Sequence, residues 1–340
     1  MRIVVDGMGG DEAPGKIIDG VVEAVHAFKS QGLSHTLIVT GVKTQIQDHL
    51  RRCHSESLLG DSIEIVHTDE VIGMHESPTS ALTKKPRSSM HVGMELVKKG
   101  EADGFVSMGN TGAVMAVALV GLGRIEGVAR PTIGAFFPTL TGKTLVLDVG
   151  TNVDCKPLHL LQFGLMGSIY MHAIMNIEDP RVGLLSIGEE ASKGDDLTVK
   201  SHDLFKQKAL FDFIGNVEGR DILKGAADIV VCDGFVGNVV LKFGESIYHF
   251  LKSRIKETAH KSTKNALIMG IAKPALRNVF RELDYQEYGG VPLLGVNGVV
   301  IIGHGSSSPK ALSRAIMVAK EMAEKRINEV IRQRIQSSKE

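Results

Sequence analysis

Residues 104–123 read GFVSMGNTGAVMAVALVGLG, and this stretch decides the fold. A short apolar run, Gly104–Met108, ends in Gly109-Asn110-Thr111-Gly112 and passes directly into a segment that is apolar on every side. An all-round apolar helix is a buried one, so the unit is a strand, a tight polar turn and a covered helix. The same grammar recurs along the chain. Candidate strands are Arg2–Asp6, Thr36–Thr40, Ser62–Val66, Gly104–Met108, Thr144–Val149, Val182–Ile187, Phe211–Ile214, Asp228–Cys232 and Val299–Ile302. Helical patterns fill the intervals at Pro14–Ser30, Val42–Cys53, Ser88–Lys99, Gly112–Arg124, Pro157–Asn176 and Asp195–Ala209. Such alternation predicts an α/β fold whose mostly parallel sheet is covered on both faces. Two regions depart from it. Between Asn238 and Arg281 two helical stretches follow one another, which predicts a projecting helical hairpin over 238–281. The chain then ends in one long charged helix, Pro309–Ile335, with Pro at its first position. No linker or repeat divides the sequence, so 1–340 reads as a single domain.

The 340 residues are 43% apolar and 23% charged, as a soluble globular core requires. Trp is absent and aromatics are 5%, so the core rests on Val, Ile, Leu, Met and Ala. The 39 basic and 39 acidic residues cancel, which removes the global electrostatic case for binding nucleic acid. Cys53, Cys155 and Cys232 are odd in number and scattered, with no Cys-x-x-Cys and no recognised Cys/His ligand spacing. That pattern predicts a reduced cytoplasmic protein without a metal. The opening MRIVVDGMGGD carries too short an apolar run for a signal peptide. No apolar run reaches the roughly 18 residues of a membrane span.

Open α/β sheets bind ligands at the carboxyl ends of their strands. Here those ends read Asp6-Gly7, Ser107 to Gly112, Asp148 to Asn152 with Asp154 and Lys156, Ser186 to Glu190 with Lys193, Asp233-Gly234 with Gly237-Asn238, and Gly303 to Ser306. Singly, each is a turn or a cap; together, at one end of a sheet, they predict a shared polar site. The buried helix start near Gly112 leaves backbone N–H groups aimed at an anion. The serines after His304 repeat the arrangement, so one small tetrahedral anion fits between the two. Familiar signatures are absent. Gly142-Lys143-Thr144 lacks the first Walker A glycine, because Phe137 stands there, and Gly7-Met8-Gly9-Gly10 is followed by Glu12 where the dinucleotide fingerprint needs glycine. No G-x-S-x-G elbow occurs. Cys155 and Cys232 read as filler beside the site. For His304, a structural hydrogen bond and a catalytic role both stand.

The stretches MRIVVDGMGGDEAP, SMGNTGA, LDVGTNVDCKP, LLSIGEEASKG, VEGRDI, DIVVCDGFVGNVVLK and YGGVPLLGVNGVVIIGHGSSSPKA run in this order from Met1 to Ala311. In that order they resemble the bacterial acyl-acyl carrier protein:phosphate acyltransferases, the PlsX family. The resemblance implies a three-layer α/β/α fold similar to isocitrate and isopropylmalate dehydrogenases and to phosphotransacetylases. It implies a cytoplasmic homodimer, peripherally membrane-associated and free of cofactors. The implied reaction joins the acyl group of an acyl carrier protein thioester to inorganic phosphate, opening acyl-phosphate-dependent phosphatidic acid synthesis. A membrane glycerol-3-phosphate acyltransferase is the implied recipient. By motif position, Asn110, Thr111 and Gly112 would donate to phosphate, and Ser306, Ser307 and Lys310 would face them. Lys193 would supply positive charge. Asp148, Asn152 and Asp154 would order a loop or meet the carrier's pantetheine arm, with Asp233, Asn238 and Lys85 in the same substrate loops. His304 would orient phosphate or protonate the leaving sulfur. The chemistry agrees, since phosphate is anionic near neutral pH and a thiol of pKa about 8.5 leaves with little acid help. Positioning and oxyanion stabilisation then suffice, without a catalytic triad.

In the hairpin, Ile268, Ala272, Leu276 and Val279 share one helical face, and Lys273, Arg277 and Arg281 share another. The pattern suits an anionic lipid surface, an acidic carrier or dimer packing. The tip residues Leu267, Ile268, Met269 and Ile271 are assigned to the membrane surface. Two alternatives remain open: a phosphotransacetylase-like enzyme using acyl-coenzyme A, and an NAD-dependent decarboxylating dehydrogenase, which would need an acidic Mg²⁺ cluster.

Overall fold

The nine expected strands all form, and two more join them in the middle of the sheet. A computed structural model of the chain describes residues 1–282 and 289–338. In chain order the first half holds β1 (Arg2–Asp6), α1 (Gly15–Ser30), β2 (Thr36–Gly41), α2 (Lys43–Arg52), β3 (Ile63–His67), α3 (Pro78–Lys84), α4 (Ser89–Lys98), β4 (Gly104–Ser107), α5 (Thr111–Gly121), β5 (Thr132–Thr139), β6 (Gly142–Leu147) and α6 (Pro157–Met175). The second half holds β7 (Arg181–Leu185), α7 (Asp196–Lys208), β8 (Asp212–Val217), α8 (Gly219–Ile222), β9 (Ile229–Val231), α9 (Gly234–His260), α10 (Thr263–Glu282), β10 (Val291–Leu294), β11 (Val299–Ile302), α11 (Pro309–Glu324) and α12 (Ile327–Ser337).

Side chains alternate across the strands and build two cores. Ile3 and Val5 pack with α1, α2, α6, α7, α11 and α12 on one face. Val4 packs with α4 and α5 on the other, joined there by Ala81 of α3 and Ile222 of α8. The result is three layers, helices on both faces of a mostly parallel sheet. By length and composition α6 passes as a membrane span, yet 67% of its most apolar window is buried inside the fold. It is the central helix of one layer.

The strand order is β3-β2-β1-β4-β11-β10-β5-β6-β9-β7-β8. The first five strands are mutually parallel, as are the last four. Between them, β10 and β5 pair antiparallel with each other and with both flanks. The two parallel halves therefore run in opposite directions, and the expectation that all polar strand ends share one rim needs correcting. What brings them together is stagger. Val291 lies opposite Ile302, Leu293 opposite Ile133, and Gly134 opposite Leu147. Leu147 thus sits about one residue step, roughly 3.3 Å, from the level of Ile302, and the ends of β6 and β11 meet in mid-sheet.

β5 and β10 escape sequence reading because Pro138 and Pro292 interrupt short runs, and proline argues against a central strand. The long terminal helix is also corrected. Arg326 adopts φ 50°, ending α11, and the chain turns so that Ile327, Ile331 and Ile335 are buried along α12. α9 and α10 follow each other without a strand, with Tyr248 and Phe280 ring centroids 5.8 Å apart. The Arg281 side chain and Tyr288, which opens the last motif, lie outside the described residues.

Phe205 on α7 is fully buried and packs edge-on against Phe211 and Phe213, with centroids 5.2 and 5.1 Å away. Phe205→Ala is expected to cost about 3–5 kcal/mol, read as a lower denaturation midpoint. A loss under about 1 kcal/mol would contradict this packing.

Candidate active site

Where the two sets of strand ends meet lies a cleft of about 530 Å³. Gly109 to Gly112 and Met115 wall it from the start of α5, Val149 and Gly150 from the end of β6, and Gly303 to Gly305 with Ser307 from the end of β11. The middle strands supply Ile133 to Phe136 and Gly289 to Val291, and α9 supplies Asn238, Leu241, Lys242 and Glu245.

Asn110 caps α5. Its Oδ1 accepts from the Ala113 N–H at 3.0 Å, and its Nδ2 donates to the carbonyls of Met74 at 2.9 Å and Glu76 at 2.8 Å. The side chain is thus committed to holding the helix start against the 71–76 loop. The groups left for an anion are the backbone N–H groups of the first turn, at Thr111 and Gly112. Lys85 braces the same loop from behind. Its Nζ donates to the Val71 carbonyl at 2.5 Å and pairs with Glu76, which accepts from the Gly73 N–H at 2.7 Å. Lys85 also holds the Glu76 carboxyl below its ordinary range. Lys85 is therefore not among the cleft-lining residues; it fixes the loop that places Met74 there.

Two buried carboxylates set the turns. Asp6 accepts from Ser89 Oγ at 2.6 Å and Ser107 Oγ at 2.7 Å, tying the ends of β1 and β4 to α4. Burial raises its pKa against those hydrogen bonds. Asp148 accepts from the N–H groups of Gly150 and Thr151, both at 2.8 Å, and from Asn152 Nδ2 at 2.5 Å. Burial raises its pKa likewise. Asn152 Nδ2 also donates to the Pro131 carbonyl at 2.8 Å, and its own carbonyl accepts from Gly234 at 2.7 Å. Asp233 caps α9 by accepting from the N–H groups of Phe235 at 2.8 Å and Val236 at 3.0 Å. A Cβ on Gly237 would overlap the Asp148 carbonyl oxygen, so only glycine lets α9 approach this turn. Asp148, Asn152 and Asp233 are the frame of the site.

Of the remaining sequence-derived residues, Ser307 is buried and lines the cleft, while His304 lines it from an exposed position. His304 Nδ1 accepts from the Ser306 N–H at 3.3 Å, with Ser306 Oγ 2.9 Å away. Ser306, Lys310 and Asp154 are exposed and not among the cleft-lining residues. Lys193 is exposed on the loop after β7, its carbonyl accepting from Ser186 Oγ at 3.0 Å, and it does not line the cleft. Sequence reasoning missed Phe136, because β5 was not recognised, and missed Lys242 and Glu245, paired at 2.8 Å. The signal for that pair was present: Asn238, Leu241, Lys242 and Glu245 follow an i, i+3, i+4, i+7 spacing on one helix face.

The sequence profile of the Fatty acid synthesis protein family matches residues 1–330. A "Phosphate acyltransferase" of Halothermothrix orenii is 47% identical over 336 residues, covering 98% of each chain. Another of Heliobacterium modesticaldum is 49% identical over 321 residues, covering 94% of this chain and 93% of its own. Among solved structures, a phosphotransacetylase from Streptococcus pyogenes matches with a TM-score of 0.60 at 18% identity, covering 96% of this chain and 94% of its own. That last likeness is one of fold.

Burial, followed by the nearby Asp148 and Asp233 carboxylates, pushes the Cys155 thiol up to about 12. Cys232 is raised in the same way. Alkylation requires thiolate, so at neutral pH Cys155 should react roughly a thousandfold more slowly than a thiol of pKa about 8.5. Its rate should climb with pH until about 12. Mass-spectrometric alkylation time courses check this, and fast labelling of Cys155 at pH 7 would contradict it.

Proposed function

Because this chain belongs to the Fatty acid synthesis protein family, we propose that it is a phosphate acyltransferase taking fatty acyl groups from acyl carrier protein. A phosphate oxygen attacks the thioester carbonyl, the C–O bond forms and the C–S bond breaks. Acyl phosphate and the carrier's thiolate result, and the thiolate takes its proton from solvent. The observation that supports this reading is the start of α5, where Thr111 and Gly112 line the cleft together with Ser307. A helix start with free N–H groups favours a phosphate dianion, and the same donors stabilise a developing oxyanion. Lys193 supplies positive charge from the loop after β7, and Lys242, paired with Glu245, lines the cleft. Phe136, Leu241 and Met115 give the acyl-thioester an apolar wall. Asn110, Asp148, Asn152 and Asp233 position these groups.

Further features of the reading stand on the family resemblance. Residues 1–340 act as one unit of the architecture shared with isocitrate and isopropylmalate dehydrogenases, working in the cytoplasm as a homodimer. A membrane glycerol-3-phosphate acyltransferase receives the acyl phosphate. The hairpin of α9 and α10 docks on the membrane; within the first half of α10, Leu267 and Ile271 are 67% and 75% exposed, Ile268 is 49% exposed and Met269 is half-buried. Exposed Lys261, Lys264, Lys273 and Arg277 flank them, as binding to anionic lipid needs. The dehydrogenase alternative is set aside, since the family match is to acyltransferases.

With palmitoyl-carrier protein and phosphate, hydroxylamine should trap an acyl product in strict proportion to phosphate. Preference for palmitoyl-coenzyme A over the carrier would instead favour the phosphotransacetylase-like reading. Asn110→Ala, which releases both helix cap and loop, should lower turnover about 100-fold; full turnover in the folded variant would remove its role. Ile268→Asp with Ile271→Asp should abolish liposome flotation while leaving turnover on soluble substrate intact. Unchanged flotation would contradict membrane docking by the hairpin.

A further inference from the structure

We propose that Asp19, His49 and Cys53 form a binding site for a divalent cation of the zinc class, on the layer of helices over β1 and β2. Each residue offers one ligand atom, and the three atoms lie within 4.8 Å of one another. His49 and Cys53 are one helical turn apart at the end of α2, where the Cys53 N–H donates to the His49 carbonyl at 3.0 Å. They therefore share a face. Asp19 comes from α1 and meets His49 Nε2 at 2.7 Å. This spacing was not recognised in the sequence, because the third ligand sits on a different helix.

The donor set is imidazole nitrogen, thiolate sulfur and carboxylate oxygen, which is the mixture zinc accepts. Tetrahedral bonds of about 2.0–2.3 Å place ligand atoms roughly 3.3–3.8 Å apart, so the trio needs shifts of about 1 Å to close around an ion. The surroundings favour that closure. An alanine at Gly15 would make only ordinary contact with the His49 ring, 3.4 Å from Cε1, so α1 does not crowd it. His49 is 18% exposed and Cys53 half-buried, so an ion and one water reach the site from solvent. On binding, the Cys53 thiol releases its proton and gives up its 3.5 Å contact with the Leu50 carbonyl. The His49–Asp19 hydrogen bond is replaced by one bond from each residue to the cation, with the imidazole proton on Nδ1. The ion then pins α2 to α1, whose preceding loop carries Asp11 to the cleft.

Cobalt(II) titrated into the chelator-treated full chain reports thiolate ligation directly. One equivalent should produce sulfur-to-cobalt charge-transfer absorption together with the intense visible bands of a tetrahedral site, and zinc should bleach both. Cys53→Ser should abolish the charge-transfer band, and His49→Gln or Asp19→Asn should weaken binding at least about tenfold. A Cys155→Ser, Cys232→Ser double variant should keep the full signal. A band that survives Cys53→Ser, or no band at stoichiometric cobalt in the folded wild-type chain, overturns the proposal. Affinity should also fall as pH is lowered, because protons compete for the ligands.

Discussion

The structure depends on how two parallel half-sheets of opposite direction are joined. β10 and β5 pair antiparallel between them, and their register slides one half along the other by a few residues. Without that offset, the carboxyl ends of β4 and β11 would lie at one rim of the sheet and those of β6 and β9 at the far rim. With it they meet, and the loops that an open α/β sheet offers to ligands close on one cleft from both sides.

Two buried carboxylates convert that meeting into fixed geometry. Asp6 gathers two serine hydroxyls at the ends of β1 and β4, and Asp148 gathers two backbone amides and Asn152 at the end of β6. Each sits where desolvation opposes its charge, so each depends on its donors; a buried carboxylate stripped of them is costly. The same economy appears at Asn110, whose amide is used up in holding α5 against the 71–76 loop. On the proposed reading, the groups that meet substrate are then largely backbone N–H groups, which need no reorganisation when charge develops.

Much of this was legible in the sequence. The outer strands and their helices announce themselves through Val/Ile runs followed by glycine and capping residues, and the helix start at Thr111 reads directly from Asn110 and the apolar run behind it. The middle of the sheet was not legible, because Pro138 and Pro292 break the strand signal at the two elements that set the stagger. Site residues divided along the same line. Ser307, Asn238, Thr111 and Gly112, which line the cleft, all follow recognisable strand ends. Lys193, Ser306 and Lys310 share their motifs with cleft residues but are exposed and not among those that line it, and a motif does not specify which of its residues will. Phe136 was hidden with β5. Asp19, His49 and Cys53 were missed because contact between α1 and α2 is a tertiary fact.

The most direct test of the account is a crystal of the protein soaked in orthophosphate. The account predicts one anion at the start of α5, within hydrogen-bonding distance of the Thr111 and Gly112 amides and facing Ser307. Phosphate held elsewhere at saturation, with those amides turned from the cleft or covered by side chains, would contradict it.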